Sequence, residues 1–131
     1  VDGARHDIGT RVDDLLEGGF QVIHVWRPLK TIFKDPFAVA DATSISGNGL
    51  VHTQVVFPER EGSTFNVTQR PSPRWYYRHG QPPDIVTLFK SYDSKRGVAS
   101  HTPHSAFIGQ DTVSYPDRES FEVRAYVFHE P

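Results

Sequence analysis

The chain contains no cysteine. Disulfides and thiolate metal sites are therefore excluded, and any metal must take histidine and carboxylate ligands. Methionine is absent as well, even at position 1, and the expectation is a processed product or a piece of a longer chain. No apolar run approaches the length of a membrane span and no signal-peptide pattern opens the chain, so the default expectation is a cytoplasmic protein with no membrane partner. A net charge of −2 supplies no basic excess and argues against nucleic acid as a partner. With 37% hydrophobic and 23% charged residues in 131, the composition is that of one folded domain with a single core.

Short β-rich runs separated by Gly/Pro punctuation make up most of the chain. Thr10-Arg11-Val12-Asp13 has the form of a capping box, Val12, Leu15 and Leu16 recur at helical spacing, and Gly18-Gly19 ends the short helix. Phe20 to Trp26 alternates, with Phe20, Val22, His24 and Trp26 on one face, and Arg27-Pro28 closes the strand. Further β-rich segments are expected at 37–40, at 50–57 after the turn signal Ser46-Gly47-Asn48-Gly49, and at 64–69. Ile85 to Tyr92 is read as a turn of helix feeding a strand, and both tryptophans as core. The last segment, Ser120 to His129, alternates most cleanly, with Phe121, Val123, Ala125 and Val127 on one face. Many short strands and one early helix predict an all-β jelly roll.

His104 is the leading candidate for chemistry. A lone histidine is more often a structural hydrogen-bonding group than a ligand. Here Thr102-Pro103 fixes its position on a strand edge, and an Arg-x-Ser triplet follows fourteen residues on. Arg118 and Ser120, two apart, share a face if both are in strand, and combine a planar fork with a hydroxyl suited to a carboxylate. The bland alternative pairs Arg118 with Glu119 or Glu122. Arg124 rivals Arg118 for the carboxylate, with Glu122 beside it as an expected ion-pair partner. A polar inner wall and a wet outer surface look alike from this pattern. His24, His52, His79 and His129 read as structural, His101 as exposed, and the sequon Asn66-Val67-Thr68 as chance.

Val25-Trp26-Arg27-Pro28, Arg74-Trp75-Tyr76-Tyr77, Lys90-Ser91-Tyr92-Asp93-Ser94, Thr102-Pro103-His104-Ser105-Ala106-Phe107 and Arg118-Glu119-Ser120-Phe121-Glu122-Val123-Arg124 occur in order. Together they resemble the fungal hydroxylase/desaturase family of secondary-metabolite clusters, which is similar to gibberellin desaturase and to the small subunit of the cephem methoxylase. The resemblance implies a double-stranded β-helix oxygenase that uses Fe(II) and 2-oxoglutarate. It also implies that residues 1–131 are the C-terminal part of a single jelly-roll domain. Members carry a His-Val-Asp-like segment before an Arg-Val-x-Asp-Leu-Leu helix, matched here by Arg11-Val12-Asp13-Asp14-Leu15-Leu16. On that match Asp2 is the carboxylate metal ligand, with its partner histidine just before residue 1. His104 is the second histidine, and Arg118 with Ser120 holds the distal carboxylate of 2-oxoglutarate.

The expected function is hydroxylation or desaturation of a small secondary metabolite. The alternative from another class is a non-catalytic β-barrel binding subunit that assists a partner enzyme. A third reading, a cupin-like metal protein using His101 and His104, lacks a third ligand.

Overall fold

The computed structural model describes residues 12–45, 49–58, 61–109 and 114–130. Among the described residues there is one α-helix, α1 (Val12–Leu16), followed by eight strands. These are β1 (Phe20–Pro28), β2 (Phe37–Ala40), β3 (Leu50–Val56), β4 (Glu61–Val67), β5 (Trp75–Tyr77), β6 (Thr87–Asp93), β7 (His104–Ala106) and β8 (Ser120–Phe128). The fold is the expected all-β jelly roll, with the short helix where the capping pattern predicts it. Thr10, Arg11 and the turn residues 46–48 lie outside the described residues.

Helix α1 stops because Gly19 takes φ +85°, a conformation costly for any side chain, and donates its N–H to the Leu16 carbonyl at 3.1 Å. At Gly18 the reason for glycine is space, since a Cβ there would fall 1.8 Å from the His129 carbonyl oxygen. Phe20 then opens β1 inside a small cluster with Leu16, Val22, Tyr126 and Phe128.

Two antiparallel three-stranded sheets form, in the orders β6-β1-β8 and β5-β2-β7, and β3 pairs with β4 as a separate hairpin. Opposite residues in an antiparallel ladder share a face. His24, Trp26 and Pro28 of β1 therefore set the inner face, and Arg124, Glu122 and Ser120 of β8 lie opposite them on that face. On the facing sheet, Phe37 and Val39 point inward, and His104 and Tyr76 flank Val39 on either side. The two sheets meet through aromatic stacking. The Trp26 and Phe37 centroids are 4.5 Å apart, and Phe37 lies 5.4 Å from Phe89. Buried Ile32 completes this core.

Two expectations need correction. The strand expected within Ile85–Tyr92 forms as β6, but no turn of helix feeds it: β1 offers a ladder along most of β6, and tertiary pairing overrides the helical spacing of Ile85, Leu88, Phe89 and Tyr92. Trp26 is core, but Trp75 is 41% exposed. It sits opposite buried Ala40 on β5, a strand at the edge of its sheet among the described residues, all three of whose residues are exposed.

Candidate active site

His104 begins β7, which pairs with β2 and forms one edge of its sheet among the described residues. The residues before it are tied to both sheets: the Thr102 N–H donates to the Lys90 carbonyl at 2.7 Å, and the Pro103 carbonyl accepts from the Ala40 N–H at 2.8 Å. The imidazole is thereby held at the junction of the sheets, with ring centroids 4.5 Å from Phe89 and 5.7 Å from Phe37. His104 Nδ1 lies 3.0 Å from the Thr102 carbonyl oxygen. A carbonyl only accepts, so Nδ1 carries the proton and Nε2 keeps a lone pair. This is the tautomer and orientation a metal-binding imidazole needs.

Asp2, the carboxylate that the family resemblance pairs with His104, lies outside the described residues. Among the described residues no group of three or more histidine and carboxylate side chains could hold a metal. His101 does not join His104: its ring stacks on Phe65 at 5.8 Å and its Nδ1 meets Ser100 Oγ at 2.8 Å. The cupin-like reading gains nothing from this placement.

Arg118 lies two residues before β8 rather than within it, so the shared-face reading of Arg118 and Ser120 does not come from a strand. Its Nη1 donates to the Asp35 carbonyl at 3.0 Å. Asp35 has φ +50°, which is unfavourable for a non-glycine residue. The neighbours of Arg118 fasten the same loop. Asp117 pairs with Lys34 and Glu119 with Lys30, each at 2.6 Å. The Lys34 ammonium holds the Asp117 carboxyl below its ordinary value. One donor of the Arg118 fork is used on the loop, and neither Glu119 nor Glu122 takes the others. Ser120 faces inward opposite Pro28.

Glu122 also departs from expectation. It ignores Arg124 and reaches diagonally to His24, with Oε1 2.5 Å from Nδ1. Nε2 of the same ring lies 2.7 Å from Ser91 Oγ. His24 is 3% exposed, stacks on Phe89 at 4.8 Å, and has its ring centroid 6.0 Å from that of His104. This polar group beside the candidate ligand escapes sequence reasoning because its partners are 67 and 98 residues away. Its only sequence signal is parity, a histidine on the same strand face as Phe20 and Trp26.

Known proteins resemble this chain in sequence and in fold. The family profile described as "Oxidoreductase/YMDC permease-like domain" matches residues 2–128. Aspirochlorine biosynthesis protein N of Aspergillus oryzae is 40% identical over 124 residues, covering 90% of this chain and 52% of that protein. Hydroxylase/desaturase efuI of Hormonema carpetanum is 39% identical, covering 83% of this chain and 41% of its own length. The solved iron and alpha-ketoglutarate-dependent endoperoxidase NvfI superposes with a TM-score of 0.85 at 28% identity, over 99% of this chain and 50% of that one. The chain thus spans about half the length of the relatives it matches. By its profile match the chain belongs to the Oxidoreductase/YMDC permease-like domain family.

Proposed function

We propose that the protein is an oxidoreductase of the Fe(II)/2-oxoglutarate-dependent dioxygenase type, hydroxylating or desaturating a small secondary metabolite. The observation that carries this reading is the His104 imidazole, oriented by the Thr102 carbonyl with Nε2 left free at the junction of the two sheets. His104 would supply one iron ligand and Asp2 the carboxylate. Arg118, with donors to spare beyond its bond to Asp35, and Ser120 would hold the distal carboxylate of 2-oxoglutarate. When bound, the iron and its oxo-acid cosubstrate supply the oxidising chemistry. The protein's part is to orient these groups and to keep water out with Phe37, Phe89 and Trp26.

The test is anaerobic titration of the full-length protein, with any residues ahead of Val1 in place, with Fe(II) and 2-oxoglutarate, followed by their visible charge-transfer band, with succinate release on admitting air. His104→Ala should abolish the band. Arg118→Ala should leave iron in place and weaken 2-oxoglutarate by about 2–5 kcal/mol, the cost of losing one partner of a charge-assisted pair. A folded protein that takes up neither iron nor 2-oxoglutarate would instead support the non-catalytic binding subunit.

A further inference from the structure

Glu122 has two cationic candidates on the inner face. Arg124 is two residues along β8 on the same face, about 7 Å away along the strand. His24 is diagonally across on β1. The carboxylate is bound to His24, and the ring's other nitrogen is closed by Ser91. Arg124 in turn makes no hydrogen bond or ion pair with another described residue. It lies directly opposite His24 in the ladder, level with the ring that sits beside His104. Arg124 therefore stands exposed on the same sheet face as the His24 ring, with its neighbouring carboxylate already engaged.

We propose that Arg124 recognises an acidic group, a carboxylate or an equivalent oxyanion, on the small-molecule substrate, and that His24 is a positioning residue that holds Glu122 away from it. This rests on the small-molecule oxygenase reading above. The chemistry is that of a planar fork of donors, which matches two carboxylate oxygens at once. Without His24, Glu122 would be free to turn to Arg124 and form the internal pair that the sequence alone suggests. The anion site would then be blocked by the protein's own carboxylate. The distal carboxylate of 2-oxoglutarate has the same chemistry, so the experiment must separate the two.

Benzoate and its neutral isostere benzamide serve as probes, titrated by calorimetry into the protein with and without saturating 2-oxoglutarate. The wild type should favour benzoate by about tenfold or more, as expected for a charge-assisted hydrogen bond. Arg124→Gln should erase that preference while 2-oxoglutarate binding stays within about twofold of wild type. His24→Gln should also reduce the preference, and adding Glu122→Gln to it should restore it, a rescue that a merely structural role for His24 would not produce. Should His24→Gln fail to fold, the exposed Arg124→Gln variant carries the test alone. Equal binding of the two probes by the wild type, survival of the preference in Arg124→Gln, or loss of 2-oxoglutarate binding in that variant would each overturn the proposal. A benzoate preference that persists in a protein unable to bind iron or 2-oxoglutarate would sink the oxygenase reading and leave the Arg124 site standing.

Discussion

The two faces of the β6-β1-β8 sheet invert the usual sorting of residues. The inner face carries His24, Ser91, Glu122, Arg124 and Ser120 beside the aromatic core of Trp26 and Phe89. The other face carries Val25 with Leu88 and Val123 on either side of it, then Phe121 one step on. Leu88 is 64% exposed and Val123 53%. Burying a polar group is costly only when it lacks a partner. His24 has one on each ring nitrogen, and no buried side-chain nitrogen or oxygen among the described residues lacks a hydrogen bond. Alternation thus reveals that a strand has two faces, while cross-strand partners decide which of them looks inward.

The largest test of this comparison is at the aromatic seam. Trp26→Ala removes the ring stacked on Phe37 and leaves a cavity between the sheets. It should destabilise the protein by about 3–5 kcal/mol in urea unfolding, read as a lower midpoint with unchanged m. A loss below about 1 kcal/mol would mean that the inner face is not the core.

Much of this was legible in the sequence. Gly18-Gly19 ends α1, the alternation of Phe20 to Trp26 identifies β1 and its buried face, and Pro103 before His104 marks a strand edge. These features depend on a few adjacent residues. What was not legible depends on distant partners. Residues 87–93 become strand because β1 pairs with them, and Trp75 is exposed with the rest of β5 at the edge of its sheet. Glu122 chooses His24 over Arg124, and Arg118 reaches a loop 83 residues away. The five motif blocks gave the family without giving these contacts. Asp2 lies outside the described residues, so its role stands on the resemblance.

A second, smaller effect belongs to the polar end of the outer face. Asp93 is buried there and accepts from Gln21 Nε2 at 2.8 Å, from the Lys95 N–H at 2.9 Å and from the Lys90 ammonium. Lys90 first, then the Lys95 N–H and Gln21, hold its carboxyl down to about 2 from an ordinary 3.8. A carboxyl whose folded value is depressed stabilises the fold above its unfolded value and loses that contribution as pH falls through the folded one. The stabilisation should therefore be complete above the ordinary value of 3.8 and drain away towards about 2. Asp41, held at about 2 by Thr43 and Arg74, titrates in the same window. Separating them requires Asp93→Asn, which should be less stable at neutral pH and show a shallower loss in acid. An unchanged acid slope in that variant would assign the window to Asp41.

The smallest expected effect is at the apolar strip. Leu88 and Val123 both border Val25, one from each neighbouring strand, and both are more than half exposed. Substituting Leu88→Ser and Val123→Thr together removes apolar surface that folding has not buried, so the transfer contribution lost is small. Exposed substitutions away from caps, cores and networks change stability by no more than about 0.5 kcal/mol each. Threonine also keeps the β-branching that suits a pleated strand. The double variant should unfold within about 1 kcal/mol of wild type, with the near-ultraviolet signal of the Trp26 and Phe37 seam unchanged. A loss approaching that of Trp26→Ala would show that the strip is covered in solution. The inversion between the two faces would then give way to a sheet buried on both sides.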